Sequence, residues 1–129
     1  MIVSYPLHKY NNINYDMFDY EFNKGPAEFI SAIKNAEFLI TDSYHATAMA
    51  IIFNTNFCVL NRVNHQAGYQ FTTDRIDNLL TKLHLNNRKA KSNQYEIKNI
   101  YSDKIDYIKA KKLLQNSLND SITFLDKII

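Results

Sequence analysis

Residues 37–54 switch from a short, wholly apolar run to a polar turn and then to a longer apolar segment, and this is the sharpest pattern in the chain. Phe38, Leu39 and Ile40, bounded by polar residues, read as a strand buried on both faces of a parallel sheet. Thr41 closes the run. Asp42 and Ser43 are both good helix N-caps, and the residues after them (Ala46, Ala48, Met49, Ala50, Ile51, Ile52 and Phe53) are too apolar for anything but a buried helix. Upstream, Ile2 and Val3 mark a strand over residues 1–5 that Pro6 ends, and residues 15–18 suggest a second. Gly25-Pro26, with Glu28 in the first turn, starts a helix whose Phe29, Ile30, Ile33 and Ala36 recur on one face.

Downstream, residues 57–60 form another apolar run and predict a further buried strand. Thr72-Thr73-Asp74 caps a helix with Ile76, Leu79, Leu80 and Leu83 at helical spacing, and Arg88 beyond its end is placed to seal that terminus. Residues 89–93 read as a polar loop, and residues 95–100 as an edge strand or a surface crossing. Asp103 then starts a long helix with Ile105, Ile108, Leu114, Leu118, Ile122, Leu125 and Ile129 as an apolar packing stripe. Strands alternating with helices predict one α/β domain over residues 1–129: Rossmann-like and doubly wound, with a mainly parallel sheet, helices on both faces and a long C-terminal helix.

Composition adds little to this and excludes a good deal. The 129 residues, 46% hydrophobic and 22% charged, suit one globular domain with its own core, so the single Cys58, inside an apolar run, reads as a small core side chain. No apolar run approaches the ~18 residues of a membrane span and the N-terminus lacks a signal pattern, so the expected location is cytoplasmic. Residues 1–60 carry a net −3 and residues 61–129 a net +5, and the basic half suits an anionic substrate or a peripheral contact with anionic lipid. Its lysines do not alternate with aromatics, so nucleic acid is not expected as a partner. Two glycines exclude a phosphate loop and a dinucleotide turn. Four scattered histidines and one cysteine give no metal-ligand spacing, so neither metal nor cofactor is expected.

The candidate chemistry lies at the turn after the first apolar run. In an open α/β sheet such a turn stands at the carboxyl end of its strand, where ligands collect, and the first helical amides there are unpaired and carry roughly half a positive charge. Ser43, Tyr44 and His45 occupy it. A histidine at this point is either packed against its own backbone or available to an anion as ligand and acid/base group. Arg62, in the loop after residues 57–60, should overhang the same crevice, as an anion ligand or in a surface ion pair. Arg75, in the first turn of its helix, opposes the dipole and needs compensation from Asp74, Asp77 or a bound anion.

The run Gly25-Pro26-Ala27-Glu28-Phe29-Ile30, the segment Ala36 to Ala46 with Ser43-Tyr44-His45, the run Ile51 to Phe57, and Asp74-Arg75-Ile76 with Leu79, Leu80, Leu83, Leu85 and Arg88 together resemble the C-terminal half of the polysaccharide pyruvyl transferases. The resemblance covers about residues 25–88. It implies the donor-binding half of a bacterial two-domain transferase of the GT-B type, lacking its N-terminal domain. Such an enzyme moves pyruvate from phosphoenolpyruvate to a sugar or oligosaccharide as a ketal, in exopolysaccharide biosynthesis. The best-understood members carry Arg-Leu-His where this chain has Ser43-Tyr44-His45, so the histidine is the residue that carries over. Two other functions fit the same pattern: a nucleotide-sugar-binding domain of a GT-B glycosyltransferase, and a non-catalytic, protein-binding module.

Overall fold

The computed structural model describes residues 2–5, 19–20, 25–61, 74–90 and 94–128. Their elements are β1 (Ile2–Tyr5), β2 (Asp19–Tyr20), α1 (Pro26–Asn35), β3 (Phe38–Thr41), α2 (Tyr44–Phe53), β4 (Asn56–Leu60), α3 (Asp74–Lys82), β5 (Lys89–Ala90), α4 (Gln94–Ser102) and α5 (Tyr107–Ile128). All the strand pairings are parallel, in the order β2-β1-β3-β4-β5. The strand over residues 1–5 and the buried strands at β3 and β4 stand where the pattern puts them; residues 15–18 lie outside the described residues.

Successive strand residues point to opposite faces, and the core divides accordingly. Leu39, Phe57 and Val59 join one cluster with Ile33, Ala46, Ala50, Ile51, Ile76, Leu80, Leu83 and Ala110, contributed by α1, α2, α3 and α5. Phe38, Ile40, Cys58 and Leu60 face the other way, onto Ala90 and onto Ile97 and Ile100 of α4. This two-sided burial is why β3 has no solvent-facing position: its four residues are fully enclosed, and the polar one, Thr41, stands at its end.

The segment read as an edge strand is α4. Ile97 and Ile100, three apart, cover the second face of the sheet, and the Tyr101 ring meets Phe38 edge-on at 5.2 Å. The loop read over residues 89–93 contains β5, whose two residues pair with Val59 and Leu60. The long helix starts at Tyr107 rather than Asp103, because Asp106 is its cap: its Oδ1 accepts from the Lys109 amide at 3.1 Å. Asp103 is engaged elsewhere, and Arg88 explains why. Arg88 is fully buried and caps the end of α4 instead of α3. Its Nε donates to Phe57 O (3.0 Å), one terminal nitrogen to Asp103 O (2.8 Å), and the other to Ile100 O (2.9 Å) and Asn56 Oδ1 (2.6 Å). The stripe on α5 is only partly a packing surface. Ala110 is buried, whereas Leu118, Ile122 and Leu125 are each about half exposed.

Cys58 is enclosed as expected, and burial pushes its thiol from an ordinary 9.0 up to about 12, with the Arg88 charge opposing. Two outcomes are expected. A thiol reagent at pH 8 should label the chain only after denaturation. Stability contributed by the raised thiol is fully present below about pH 9 and is lost as pH rises toward 12, because the unfolded chain ionises first. Burial likewise raises the Tyr107 hydroxyl, which donates to Thr55 O, and this adds to the alkaline loss. Denaturant titrations at pH 8 and pH 10.5 that gave equal midpoints would contradict this.

Candidate functional site

Three elements converge at the carboxyl edge of the sheet. The strand order reverses between β1 and β3, the kind of place where open α/β sheets bind ligands, and the turn from β3 into α2 stands at the carboxyl end of β3. Ser43 caps the helix, its Oγ accepting from the Ala46 amide at 3.4 Å, and its carbonyl receives the Thr47 amide (3.0 Å) and the Thr47 hydroxyl (2.8 Å). The Ser43 amide donates in turn to Thr41 Oγ1 at 3.0 Å, so the turn is fixed from inside. Among the described residues no acceptor bonds the Tyr44 or His45 amides. His45 is exposed, its imidazole edge-on to the Tyr44 ring at 5.7 Å.

Arg75, in the first turn of α3, brings its guanidinium to 5.2 Å from the centre of the Tyr44 ring, within cation–π range. Asp77, one of the two local partners expected for it, is instead 2.5 Å from Lys89 Nζ. Four of the five candidate residues (Ser43, Tyr44, His45 and Arg75) therefore meet at one edge through side chains drawn from two helices. Arg62 lies outside the described residues.

Asn61 is a member of this edge that residue-by-residue reading of the sequence missed. It follows β4 directly, its amide continuing the ladder to Ala90 O at 3.2 Å. Val59 pairs with Thr41, so Asn61 and the Ser43 turn both follow the carboxyl ends of neighbouring strands. Its Oδ1 is buried with no hydrogen-bond partner among the described residues. The one signal that could have found it is a polar side chain directly after a fully apolar strand. A cavity of about 450 Å³ lined by Glu37, Asn54, Asn56, Tyr101, Lys104 and Tyr107 lies at the opposite, amino-terminal edge. There Glu37 accepts from the Tyr101 hydroxyl, a bond that lowers the carboxyl and raises the phenol. Among the described residues no cluster of three or more His, Cys, Asp or Glu is placed to hold a metal ion, and no helix is long and apolar enough to cross a membrane.

Residues 1–65 match the family model for polysaccharide pyruvyl transferase. The chain belongs to that family. The match takes in the whole β3–α2–β4 unit, with Ser43, Tyr44, His45 and Asn61, while Arg75 and Arg88 lie beyond it. No curated protein and no solved structure matches the chain. At family level, membership supports a pyruvyl transferase-type function in polysaccharide biosynthesis, with a sugar as acceptor.

Proposed function

We propose that the chain is the donor-binding, Rossmann-like and doubly wound domain of a GT-B-type polysaccharide pyruvyl transferase, acting on phosphoenolpyruvate in the cytoplasm. The observation that carries this reading is the Arg75 guanidinium held over Tyr44 beside two amides that meet no acceptor among the described residues, at the edge where the strand order reverses. Phosphoenolpyruvate brings a phosphate and a carboxylate. The start of α2 offers oriented N–H groups and the positive end of the helix dipole, and Arg75 offers a bidentate cation, to which the sequence adds Arg62 as a candidate.

Ketal formation places a proton on the methylene carbon of the enol, adds two sugar hydroxyls to the central carbon, and releases inorganic phosphate. Each hydroxyl gives up its proton in the process. His45, exposed at the rim, is the group for one of these transfers, and Ser43 and Tyr44 hold the turn that aims it. The buried, unpartnered Oδ1 of Asn61 accepts and cannot donate, so it suits a sugar hydroxyl better than either anionic end of the donor.

Thermal denaturation tests the reading. Phosphoenolpyruvate at 100 times its Kd should stabilise the chain by about 2.7 kcal/mol. A uridine diphosphate sugar at equal concentration should not, and a preference for it would favour the nucleotide-sugar reading instead. Arg75→Gln removes one charge-assisted contact and should weaken phosphoenolpyruvate binding by about 10-fold or more. Indifference to both ligands would end the donor assignment.

A further inference from the structure

Helix α5 packs on the body of the protein along one line only as far as Ser117; every residue from Leu118 to Ile128 is exposed, Phe124 and Ile128 by 63% and 65%. Ala110 is buried and Leu113 and Ser117 are partly covered, the line that packs toward the first core cluster. A quarter-turn away, Leu114, Leu118, Ile122 and Leu125 form a continuous stripe, exposed by 38%, 51%, 48% and 53%. Ile52, at the end of α2, is also exposed and extends the apolar surface near the start of the stripe, where Lys111 Nζ donates to its carbonyl at 3.3 Å. Scattered exposed apolar residues need no explanation; an aligned run along about three turns does.

The residues flanking the stripe indicate what covers it. Lys112, Asn119 and Asp126 recur at intervals of seven and so share one edge of the helix. A cation stands at one end of that edge, an amide at its middle and an anion at the other end. Such an edge is complementary to itself only when a second copy lies antiparallel, with a two-fold axis near Asn119. Lys112 of each copy then meets Asp126 of the other, and Leu118 of each layers against Ile122 of the other. Both charges are exposed. A bilayer fits less well, because Asp120 and Asp126 lie in the exposed turns and an anionic surface would repel them.

We propose that the chain self-associates through an antiparallel α5–α5 pairing of this stripe, an isologous two-fold contact. The pairing is independent of the donor assignment, since α5 contributes nothing to the Ser43–Arg75 edge.

The test is sedimentation equilibrium of the full chain over about 1–100 μM. A reversible dimer of the 15.1 kDa chain is expected. Leu118→Glu should make it monomeric with an unchanged far-ultraviolet circular dichroism spectrum, since that side chain is half exposed and its replacement leaves the core intact. Lys112→Glu and Asp126→Lys should each weaken the dimer by about 3-fold or more, and combining them should restore it, an outcome that general stickiness does not produce. A chain that stays monomeric throughout, that sediments instead with anionic vesicles, or whose dimer ignores both Leu118→Glu and the charge exchange would overturn the proposal.

Discussion

Arg88→Leu is expected to lower the free energy of unfolding by about 3–5 kcal/mol, the usual cost of deleting one member of a buried, fully bonded charged network. That corresponds to a fall of roughly 10–20 °C in Tm for a chain of this size. The expectation rests on what leucine would leave behind. Phe57 O belongs to β4, Ile100 O to the end of α4, and Asn56 Oδ1 to the first residue of β4; the first two lose their donor within a closed interior and the third in a partly buried position. Asp103 loses both the bond to its carbonyl and a carboxylate contact at 3.6 Å. Burial already pulls the guanidinium below its ordinary pKa, with Asp103 opposing, so the network tolerates the charge only because its acceptors surround it. Arg88→Lys keeps the charge but lacks the planar fork, and should recover less than half of the loss. Urea denaturation decides the matter: a loss under 1 kcal/mol for Arg88→Leu would mean that the four bonds contribute little net stability.

The second large effect concerns rate rather than stability. His45→Gln should slow pyruvyl transfer from phosphoenolpyruvate to a sugar acceptor by ~10²–10⁴-fold, the range of one positioned acid/base group. Stability should barely change, within about 0.5 kcal/mol, because the imidazole is exposed and its described contact is the Tyr44 ring. Glutamine keeps a hydrogen-bonding end but cannot exchange a proton, so it separates proton transfer from ligand binding. Ser43→Ala provides the contrast: it removes a cap and should cost about 1 kcal/mol of stability while leaving the imidazole in place. Transfer by His45→Gln at the unsubstituted rate would remove His45 from the chemistry, whatever the donor affinity.

How much of this could be read from the sequence varies by segment. The β3–α2–β4 unit was legible because its signals agree: an apolar run of three closed by a threonine, a serine cap, and a helix whose apolar residues need no preferred face. Helix α4 was not. Tyr95-Glu96-Ile97-Lys98 imitates the alternation of a strand, and the helix exists because Ile97 and Ile100 can jointly cover Phe38 and Ile40. Strand β5 is too short to leave a periodic trace. Arg88 was misplaced for a different reason. Its acceptors come from 12, 15, 31 and 32 positions away, and no local pattern encodes such a meeting. At the candidate edge, Ser43 and His45 follow from the cap, while the approach of Arg75 to Tyr44 depends on how α3 packs beside α2 and has no counterpart in either segment alone.

Helix α2 is held at both ends. Behind the Ser43 turn, its far end closes on Asn54 in a left-handed conformation (φ 57°), with the Thr55 amide on Ala50 O at 2.8 Å and the Thr55 hydroxyl on Ile33 O at 2.8 Å. A helix clamped in this way cannot slide along its axis to meet a visitor. Whatever docks at its leading turn finds the donors already aimed and spends little ordering entropy on arrival, so recognition there works as a rigid template and selects by shape and charge rather than by closing around its guest.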